Sequence, residues 1–218
     1  HALNVVAPER LAEYCAERDI PLVQISSDYV FGRGNLPHDG PFAEADQPVP
    51  DSIYGATKLL GERRVAEKWD KHFLIRTCGL YGKRESAGKG NFIETMLRLG
   101  SEREHLNVVD DQVCTPTFTD DLAQAIVELM ATAQYGLYHA TNSGETTWCR
   151  LAREIFRLRR MSVTVDPLTT NEFGAAALRP AYSGLDCSKL ESVIGRRLPQ
   201  WEDAVERYLN ELLATNDK

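Results

Sequence analysis

Apolar residues follow two different spacings along this chain, and the two spacings predict helices and strands in alternation. Short apolar runs rich in β-branched residues are typical of buried strands, whereas apolar residues three and four apart are typical of one helix face. The predicted strands cover residues 21–27, 72–78, 106–109, 136–141 and 163–168, and the predicted helices cover residues 1–21, 52–69, 91–100, 119–133, 146–160 and 201–214. This alternation predicts right-handed βαβ units around a parallel sheet, which is an α/β fold.

Two helix starts and one long loop add detail to this pattern. Ser52 and Thr119 stand at the beginning of helical segments and are predicted to be N-cap residues. Residues 31–52 are rich in glycine, proline and acids, which predicts a long surface loop, and a loop of this length is usually functional. The predicted buried stripe of the first helix contains Leu3, Val6, Leu11, Tyr14 and Cys15.

Composition and charge narrow the class of protein. The 218 residues can bury a full core, as one domain or as one domain with a small lobe. The net charge of −7 argues against a nucleic-acid partner or an anionic membrane surface. Five separated cysteines without metal-ligand spacing indicate reduced thiols and a cytoplasmic location, and no apolar run approaches the ~20 residues of a membrane span. We expect no metal site.

Tyr54 and Lys58 are the residues with the clearest chemical implication. They lie four apart at the start of a predicted helix, so their side chains share one face. The lysine ammonium is expected to lower the pKa of the tyrosine phenol and make it a general acid or base for a carbonyl or alcohol. Ser26 and Ser27 end the preceding strand, where a hydroxyl can hold the reacting oxygen. Alone, a tyrosine and a lysine at this spacing occur by chance in most proteins, so an ordinary helix start is the alternative.

The segment "ISSDYVFG…PFAEADQPVPDSIYGATKLLGE" resembles the extended short-chain dehydrogenases/reductases. More narrowly, it is similar to the dTDP-4-dehydrorhamnose reductase family, whose pattern reads STDYVF…YG.TKL.GE. Further matches follow in order: "LIRTCGLYG" (74–82), "VVDDQVCTPTFTDDLA" (108–123) and "LRPAYSGLDCSKL" (178–190). The resemblance implies the C-terminal part of a Rossmann-like, doubly wound parallel sheet with a smaller α/β substrate lobe.

The resemblance also implies a catalytic set of Ser27, Tyr54 and Lys58. NADPH, with NADH as the alternative, would deliver hydride to the C4 ketone of dTDP-4-keto-L-rhamnose or a related nucleotide-activated 4-keto sugar. Tyr54 would give the proton, Ser27 would hydrogen-bond the carbonyl oxygen, and Lys58 would bind the nicotinamide ribose. Ser26 and Cys78 join Tyr54 and Lys58 as the implied cofactor-binding residues.

The implied substrate-binding residues are Ser27, Tyr29, Gln112, Thr115 and Arg179. Arg179 suits a diphosphate because its guanidinium forms paired hydrogen bonds, and its alternative is a loop anchor. Tyr29 has the alternative of a half-buried aromatic that closes the loop. The expected partner is a nucleotide-sugar substrate, with no nucleic acid or membrane, and a homodimer is left open.

Two departures from the family pattern leave the sugar and the activity open. Gly79 stands where the family has a tryptophan, and Cys114 where it has a glycine. Loss of the aromatic ring removes a stacking surface for the sugar. The segments "SSDYVF" and "LDCSKLE" also resemble the methionine adenosyltransferase β subunit, a regulatory partner with the reductase fold. A non-catalytic regulatory subunit is therefore the alternative function.

No segment of the sequence matches the glycine-rich turn that holds the cofactor pyrophosphate at a helix N-terminus. We therefore expect an N-terminally truncated member of the family. Residues 1–87 would be the remaining part of the NAD(P)-binding domain. Residues 88–218 would be mainly the substrate-binding lobe, with some segments returning to the Rossmann core.

Overall fold

The structure is a computed structural model and describes residues 1–32, 39–83, 90–174 and 179–216. The helices are α1 (Ala7–Glu17), α2 (Ile53–Lys68), α3 (Phe92–Glu102), α4 (Thr119–Ala131), α5 (Trp148–Leu158), α6 (Thr170–Phe173), α7 (Ser188–Ile194) and α8 (Trp201–Asn216). The strands are β1 (Leu22–Ser27), β2 (His72–Thr77), β3 (Leu80–Tyr81), β4 (His105–Val109), β5 (Val113–Cys114), β6 (Thr117–Phe118), β7 (Gly136–His139), β8 (Thr146–Thr147) and β9 (Thr164–Leu168). A π-helical turn, Ala2–Val6, precedes α1, and a 3-10 turn, Asp28–Val30, follows β1.

The main sheet is parallel, with the strand order β1-β2-β7. Phe73 and Ile75 of β2 pack with α4 and α7, whereas Leu74 packs with α1 and α2. Because successive side chains of a strand point to opposite faces, helices cover both faces of this sheet. The predicted α/β fold with a layered parallel sheet is confirmed.

A second core lies beside the main sheet. β4 and β9 pair in parallel, and α3, α5 and α8 pack with them around buried residues such as Ile155 and Tyr208. The short parallel pair β3–β6, in which Leu80 lies opposite Thr117, joins the end of β2 to this core. The predicted boundary between residues 87 and 88 lies outside the described residues, so the division into two domains stays a prediction.

The predicted stripe of the first helix is wrong. Most of its members are exposed, namely Leu3, Val6, Leu11 and Tyr14. The buried face instead contains Val5, Ala12 and Cys15. The helix packs against α2 and the main sheet through the face that carries Ala12 and Cys15, and the main chain of Asn4 lies against α2. A Cβ at Gly61 would lie 2.0 Å from the Asn4 carbonyl oxygen, so this approach requires glycine.

Of the two predicted N-caps, one is confirmed and one is wrong. The Ser52 hydroxyl accepts a hydrogen bond from the Gly55 amide at 3.0 Å and caps α2. Thr119 is already the first residue of α4, and the position before it is Phe118, which has no capping side chain. The Phe118 amide donates to Asn142 Oδ1 at 2.8 Å, so the chain before α4 is held by the segment that follows β7.

Two further features concern the cysteine thiols and the length of the helices. All five cysteines carry free thiols. Among the helices of the described segments, none is long and apolar enough to cross a lipid bilayer.

Candidate active site

The carboxyl edge of the main sheet carries the hydroxyl groups of Ser27 and Thr77. These residues lie side by side at the ends of β1 and β2, and both are buried. Ligands of open parallel sheets bind outside the carboxyl ends of the strands. Thr77 Oγ1 is buried and has no hydrogen-bond partner in the described part of the chain. The sequence analysis missed Thr77, because only the strand register shows that it lies beside Ser27.

Tyr54 reaches this edge from the first turn of α2. A Cβ at Gly55 would lie 2.0 Å from the Tyr29 carbonyl oxygen, so glycine lets the helix start press against the turn that follows β1. The rings of Tyr29 and Tyr54 meet edge to face with centroids 5.7 Å apart. The Ser27 hydroxyl lowers the pKa of Tyr54, and the Tyr54 side chain is 46% exposed, as a proton donor to a bound ligand must be.

Lys58 lies one turn further along α2, on the same face as Tyr54. Its ammonium nitrogen Nζ donates to the Ile25 carbonyl at 3.2 Å and lies 5.9 Å from the centroid of the Tyr54 ring. Lys58 thus ties α2 to β1 two residues before Ser27. The structure brings Ser27, Tyr54 and Lys58 together at one edge, as the sequence predicts.

The expected lowering of the Tyr54 pKa is wrong, because the pKa of this phenol is raised. Burial raises the pKa of Tyr54, the nearby Asp28 raises it further, and only the Ser27 hydroxyl lowers it. Burial also lowers the pKa of Lys58, against the opposing influence of Glu62. The sequence showed the lysine beside the tyrosine but not the burial of both side chains. The raised pKa keeps Tyr54 protonated, which suits a proton donor.

Asp28 is a functional candidate that the sequence analysis missed. It directly follows Ser27, is only 2% exposed, and its Oδ1 accepts a hydrogen bond from Ser27 Oγ at 2.9 Å. Its Oδ2 has no hydrogen-bond partner within the described ranges. Burial raises the pKa of this carboxyl, although Cys78, Ser183 and Ser27 favour the ionised form. Its position next to Ser27 in "SSD" was the only available signal.

A cavity of about 170 Å³ opens beside Asp28 and Tyr29. Predicted site residues from both halves of the chain line it: Tyr29, Cys78, Gln112 and Arg179. Gln112 is held by a hydrogen bond from its Nε2 to Thr170 Oγ1 at 2.9 Å. Burial raises the pKa of Tyr29 to about 12, with Arg179 acting in the opposite direction. We call this space the polar cavity.

A second cavity, of about 290 Å³, lies next to the polar cavity and shares Gln112, Trp148 and Arg179 with it. Its other walls are mainly apolar and include Phe92 and Phe173. Phe92 packs against Trp148 with ring centroids 4.8 Å apart. The walls of this apolar cavity suit a flat ring. Arg179 lines both the apolar and the polar cavity.

Gly79 and Cys114 also line the polar cavity, together with Trp148. Gly79 has φ +55°, and a Cβ there would lie 3.2 Å from Pro116 Cα and 3.7 Å from the Trp148 ring. A side chain at position 79 would therefore meet main chain. Trp148, the first residue of α5, is half-buried and lines both cavities.

Two predicted site residues, Ser26 and Thr115, lie away from these cavities, as does Asn4. The Ser26 hydroxyl donates to Glu62 and is buried, so its side chain is already engaged. Thr115 is buried with an unpartnered Oγ1 and lines a third cavity with Thr141 and Glu145. Asn4 Nδ2 donates to Thr57 Oγ1 at 3.0 Å, which braces α2 three residues after Tyr54.

Fold and site together define a Rossmann-like α/β protein with the serine, tyrosine and lysine arrangement of the short-chain dehydrogenases/reductases. The model of a family described as "RmlD substrate binding domain" matches residues 1–214. A dTDP-4-dehydrorhamnose reductase of Sinorhizobium fredii is 34% identical over an alignment of 223 positions. The alignment covers 97% of this chain and 73% of that protein. The chain belongs to the dTDP-4-dehydrorhamnose reductase family.

Two further similarities bear on substrate and cofactor. A dTDP-4-keto-6-deoxy-D-glucose reductase of Streptomyces niveus is 41% identical over 189 residues, covering 84% of this chain and 62% of that protein. The crystal structure of a dTDP-4-dehydrorhamnose reductase of Bacillus anthracis in complex with NADP superimposes with a TM-score of 0.88 at 40% identity. That match covers 95% of this chain and 72% of that one.

Proposed function

We propose that this chain reduces the C4 ketone of dTDP-4-dehydro-L-rhamnose, or of a related nucleotide-activated 4-keto sugar, with NADPH. The observation that carries the proposal is the convergence of Ser27, Tyr54 and Lys58 at the carboxyl edge of the sheet, beside a polar cavity. The related reductases of dTDP-rhamnose and dTDP-deoxyglucose precursors support a dTDP-linked ketone as the substrate class.

The residues at the sheet edge fit a nicotinamide cofactor. Thr77 has a buried hydroxyl without a partner, and Lys58 supplies a cation next to Tyr54. Lys58, Thr77 and Cys78 would hold the nicotinamide end, with Ser26 contributing through its main chain. When bound, NADPH supplies the hydride. The Bacillus anthracis relative with NADP supports this cofactor, and NADH remains the alternative.

The roles of the three catalytic residues follow from their contacts. Ser27 lies at the strand end beside Tyr54 and would hold the ketone oxygen next to the phenol. Tyr54, protonated because burial raises its pKa, would donate the proton to that oxygen. Lys58, fixed by the Ile25 carbonyl, would orient the cofactor ribose and stabilise the phenolate left on Tyr54.

The two neighbouring cavities suit the two ends of a sugar nucleotide. The polar cavity next to Asp28 and Tyr29 would take the sugar, and the apolar cavity beside Phe92 and Trp148 would take the base. Arg179 lines both spaces and would pair with the diphosphate between them. Thr115 faces another cavity, which weakens its proposed role as a substrate ligand.

The remaining expectations belong to the same proposal. A division into a cofactor-binding part and a substrate-binding part is supported by the two separate cores. Free thiols at all five cysteines support a reducing, cytoplasmic location. A homodimer and the absence of a nucleic-acid partner remain predictions from charge and family.

The test is NADPH oxidation with dTDP-4-dehydro-L-rhamnose as substrate, measured on the chain and on Tyr54→Phe. Removing the proton donor is expected to lower kcat by roughly 10²–10⁴-fold, the usual contribution of general acid–base catalysis. Tyr14→Phe is the matched control, because Tyr14 is half exposed on α1 and contacts Arg18. An unchanged rate in Tyr54→Phe would refute the role of Tyr54.

The regulatory-subunit alternative makes a different prediction. Gly79, in place of the family tryptophan, is the observation that favours it, since the sugar loses one aromatic contact. It predicts stable association with a methionine adenosyltransferase and no turnover of NADPH by any variant. Turnover that depends on Tyr54 would exclude it.

A further inference from the structure

We propose that Asp111 is a positioning residue that holds the ring of Phe173 against the base of the nucleotide sugar. The inference rests on the proposed function, which places the base in the apolar cavity, and it gives a role to two further residues. Asp111 lies two residues after the end of β4, and Phe173 is the last residue of the short helix α6. Neither belongs to the proposed catalytic set.

Phe173 is a large apolar side chain that the fold leaves uncovered. It is 55% exposed, and among the described residues it belongs to neither of the two main buried cores. Its ring contacts no other aromatic ring in the described ranges, although it lines the same apolar cavity as Phe92 and Trp148. Ligand cavities are lined mainly by apolar and aromatic side chains. A flat ligand ring in this cavity would cover the exposed surface of Phe173.

The first turn of α6 is fixed by two consecutive side chains that follow β4. The Thr170 amide donates to both carboxylate oxygens of Asp111 at 2.9 Å, and Thr170 Oγ1 donates to Asp111 Oδ1 at 2.6 Å. Gln112 Nε2 donates to the same hydroxyl at 2.9 Å. A hydroxyl has one donor site and two acceptor sites, so Thr170 Oγ1 can make both bonds at once. Asp111 and Gln112 therefore hold the start of α6 together.

A capping box closes the same turn. The Glu172 amide donates to Thr169 Oγ1 at 3.2 Å, and the Thr169 amide donates to Glu172 Oε2 at 2.7 Å. The Phe173 amide donates to the Thr169 carbonyl at 3.0 Å. An isolated helix as short as α6 is not stable in water. The position of Phe173 at the cavity therefore depends on these bonds and on the bonds to Asp111.

The occupant that fits this wall is the base of a dTDP-linked sugar. Arg179 lines both cavities and suits a diphosphate, so the sugar and the base would lie on opposite sides of it. The polar cavity is lined by Asp28, the residue after Ser27, and would take the reacting sugar. The apolar cavity of about 290 Å³ is then left for the base. The relatives whose names specify dTDP sugars support thymine as that base.

The binding test uses dTDP and isothermal titration calorimetry, without cofactor or turnover. Phe173→Ala should bind dTDP roughly 5–150-fold more weakly, the usual contribution of an aromatic side chain that stacks on a base. Phe173→Tyr keeps the ring and should bind dTDP as the unmodified chain does. Val127→Ala removes another exposed apolar side chain, on α4, and should leave the affinity unchanged. An unchanged dissociation constant in Phe173→Ala overturns the inference.

The positioning role of Asp111 predicts a smaller effect of its own. Asp111→Ala removes the acceptor for Thr170, so α6 is ordered for a smaller fraction of the time. The apparent affinity for dTDP falls by that fraction, about threefold to tenfold for the loss of one cap. Thr170→Val removes the shared hydroxyl and should give a smaller loss in the same direction. Asp166→Ala, at an exposed position of the neighbouring strand β9, is the matched control and should bind normally.

A double variant shows whether Asp111 acts through Phe173. On a Phe173→Ala background, Asp111→Ala should cause no further loss of dTDP affinity, because the ring that it positions is already gone. The same loss with and without Phe173 overturns the positioning role. The titration also reports the binding stoichiometry. A reduced stoichiometry with an unchanged dissociation constant means that part of the variant is unfolded, and this result overturns the inference as well.

Kinetics separate the failure of this inference from the failure of the proposed function. With dTDP-4-dehydro-L-rhamnose and NADPH, Phe173→Ala should raise KM by the factor found for dTDP and keep kcat within about twofold, because the base is held equally in the ground and transition states. A lower kcat with an unchanged KM overturns the inference and leaves the reductase function standing. If the chain oxidises no NADPH while dTDP binding still depends on Phe173, the proposed function fails and the base site stands.

Discussion

At the level of single residues, the site depends on side chains whose behaviour is set by burial. Tyr54 and Lys58 have their pKa values shifted mainly by loss of solvent, in the direction that favours a neutral side chain in each case. The Tyr54 phenol is therefore held protonated, as the proposed proton donor must be, and the Lys58 ammonium is held in place by the Ile25 carbonyl. In the proposed reaction, Lys58 would act through its fixed position at the sheet edge as well as through its charge.

Gly79 gives the sharpest residue-level prediction. Gly79→Ala places a Cβ in the left-handed region and 3.2 Å from Pro116 Cα, so we expect a loss of stability of about 1–2 kcal/mol or more. Gly195→Ala is the matched control, because Gly195 has φ +73° but no atom near its Cβ position. Urea unfolding of both variants separates the steric effect of the Pro116 contact from the conformational cost of a side chain at positive φ. Equal losses would show that Pro116 yields without cost.

The sequence indicated which residues lie together at the sheet edge, but not the properties of their side chains. Ser27, Tyr54 and Lys58 were recognisable because a strand end and a helix start fix their local spacing. The hydroxyl of Thr77 and the carboxyl of Asp28 become significant only through strand register and burial, which are tertiary properties. The raised pKa of Tyr54 was missed for the same reason.

At the level of elements, a buried ion pair connects the helix that carries Tyr54 to the sheet. Glu62, two turns after Tyr54, accepts two hydrogen bonds from Arg76 of β2, at 3.0 and 2.7 Å. Ser26 of β1 donates to the same carboxylate, and His139 of β7 lies 3.5 Å from Arg76 Nη1. One carboxylate thus holds α2 against the sheet, and through Arg76 the contact extends to β7.

Breaking this pair should be costly. Glu62→Ala leaves Arg76 buried and unpaired, and the expected loss in the free energy of unfolding is about 3–5 kcal/mol. The double variant Glu62→Met with Arg76→Met should lose less than the single variant, because no buried charge remains. Glu102→Ala breaks the exposed pair with Arg98 and should cost no more than about 0.5 kcal/mol. Chemical denaturation measures all three, and a double variant less stable than Glu62→Ala would contradict this account.

The helices and strands were predictable where their apolar pattern extends over many residues. They were less predictable where tertiary contacts decide the packing or where the element is short. The strands of the main sheet and the helices α2, α4 and α5 lie where their patterns place them. The buried face of the first helix was wrong, because its apolar residues lie on more than one face and hydrophobic spacing does not show which face packs against α2 and the sheet. The short helix α7 was not predicted, since seven residues give too little periodicity.

At the level of the whole molecule, stability at low pH should depend on His139. Burial and the nearby Arg76 lower the pKa of this side chain to about 3, while its Nδ1 donates to the Phe42 carbonyl at 2.9 Å. The folded state therefore holds a neutral imidazole. A depressed pKa means that its contribution is fully present above the unfolded value of 6.5 and is lost as pH falls towards about 3.

The matching experiment follows unfolding free energy against pH. The unmodified chain should lose up to about 1.4 kcal/mol per pH unit through this window from His139 alone. His139→Asn should be less stable near neutrality and should lack this component of the slope. His105→Asn, at an exposed position of β4, should run parallel to the unmodified chain. Parallel curves for His139→Asn and the unmodified chain would show that His139 is protonated in the folded state.

The two separately packed cores have a consequence for how such a protein can diversify. Ser27, Tyr54 and Lys58 come from β1 and α2 of the main sheet layer, whereas Gln112, Trp148 and Arg179 line the cavities from later segments of the chain. Residues that line the cavities can therefore be substituted around the second core. The proposed proton donor, Tyr54, keeps its geometry beside the main sheet. In such a family, gradual substitution around the second core can change which sugar is bound while the reaction itself stays the same.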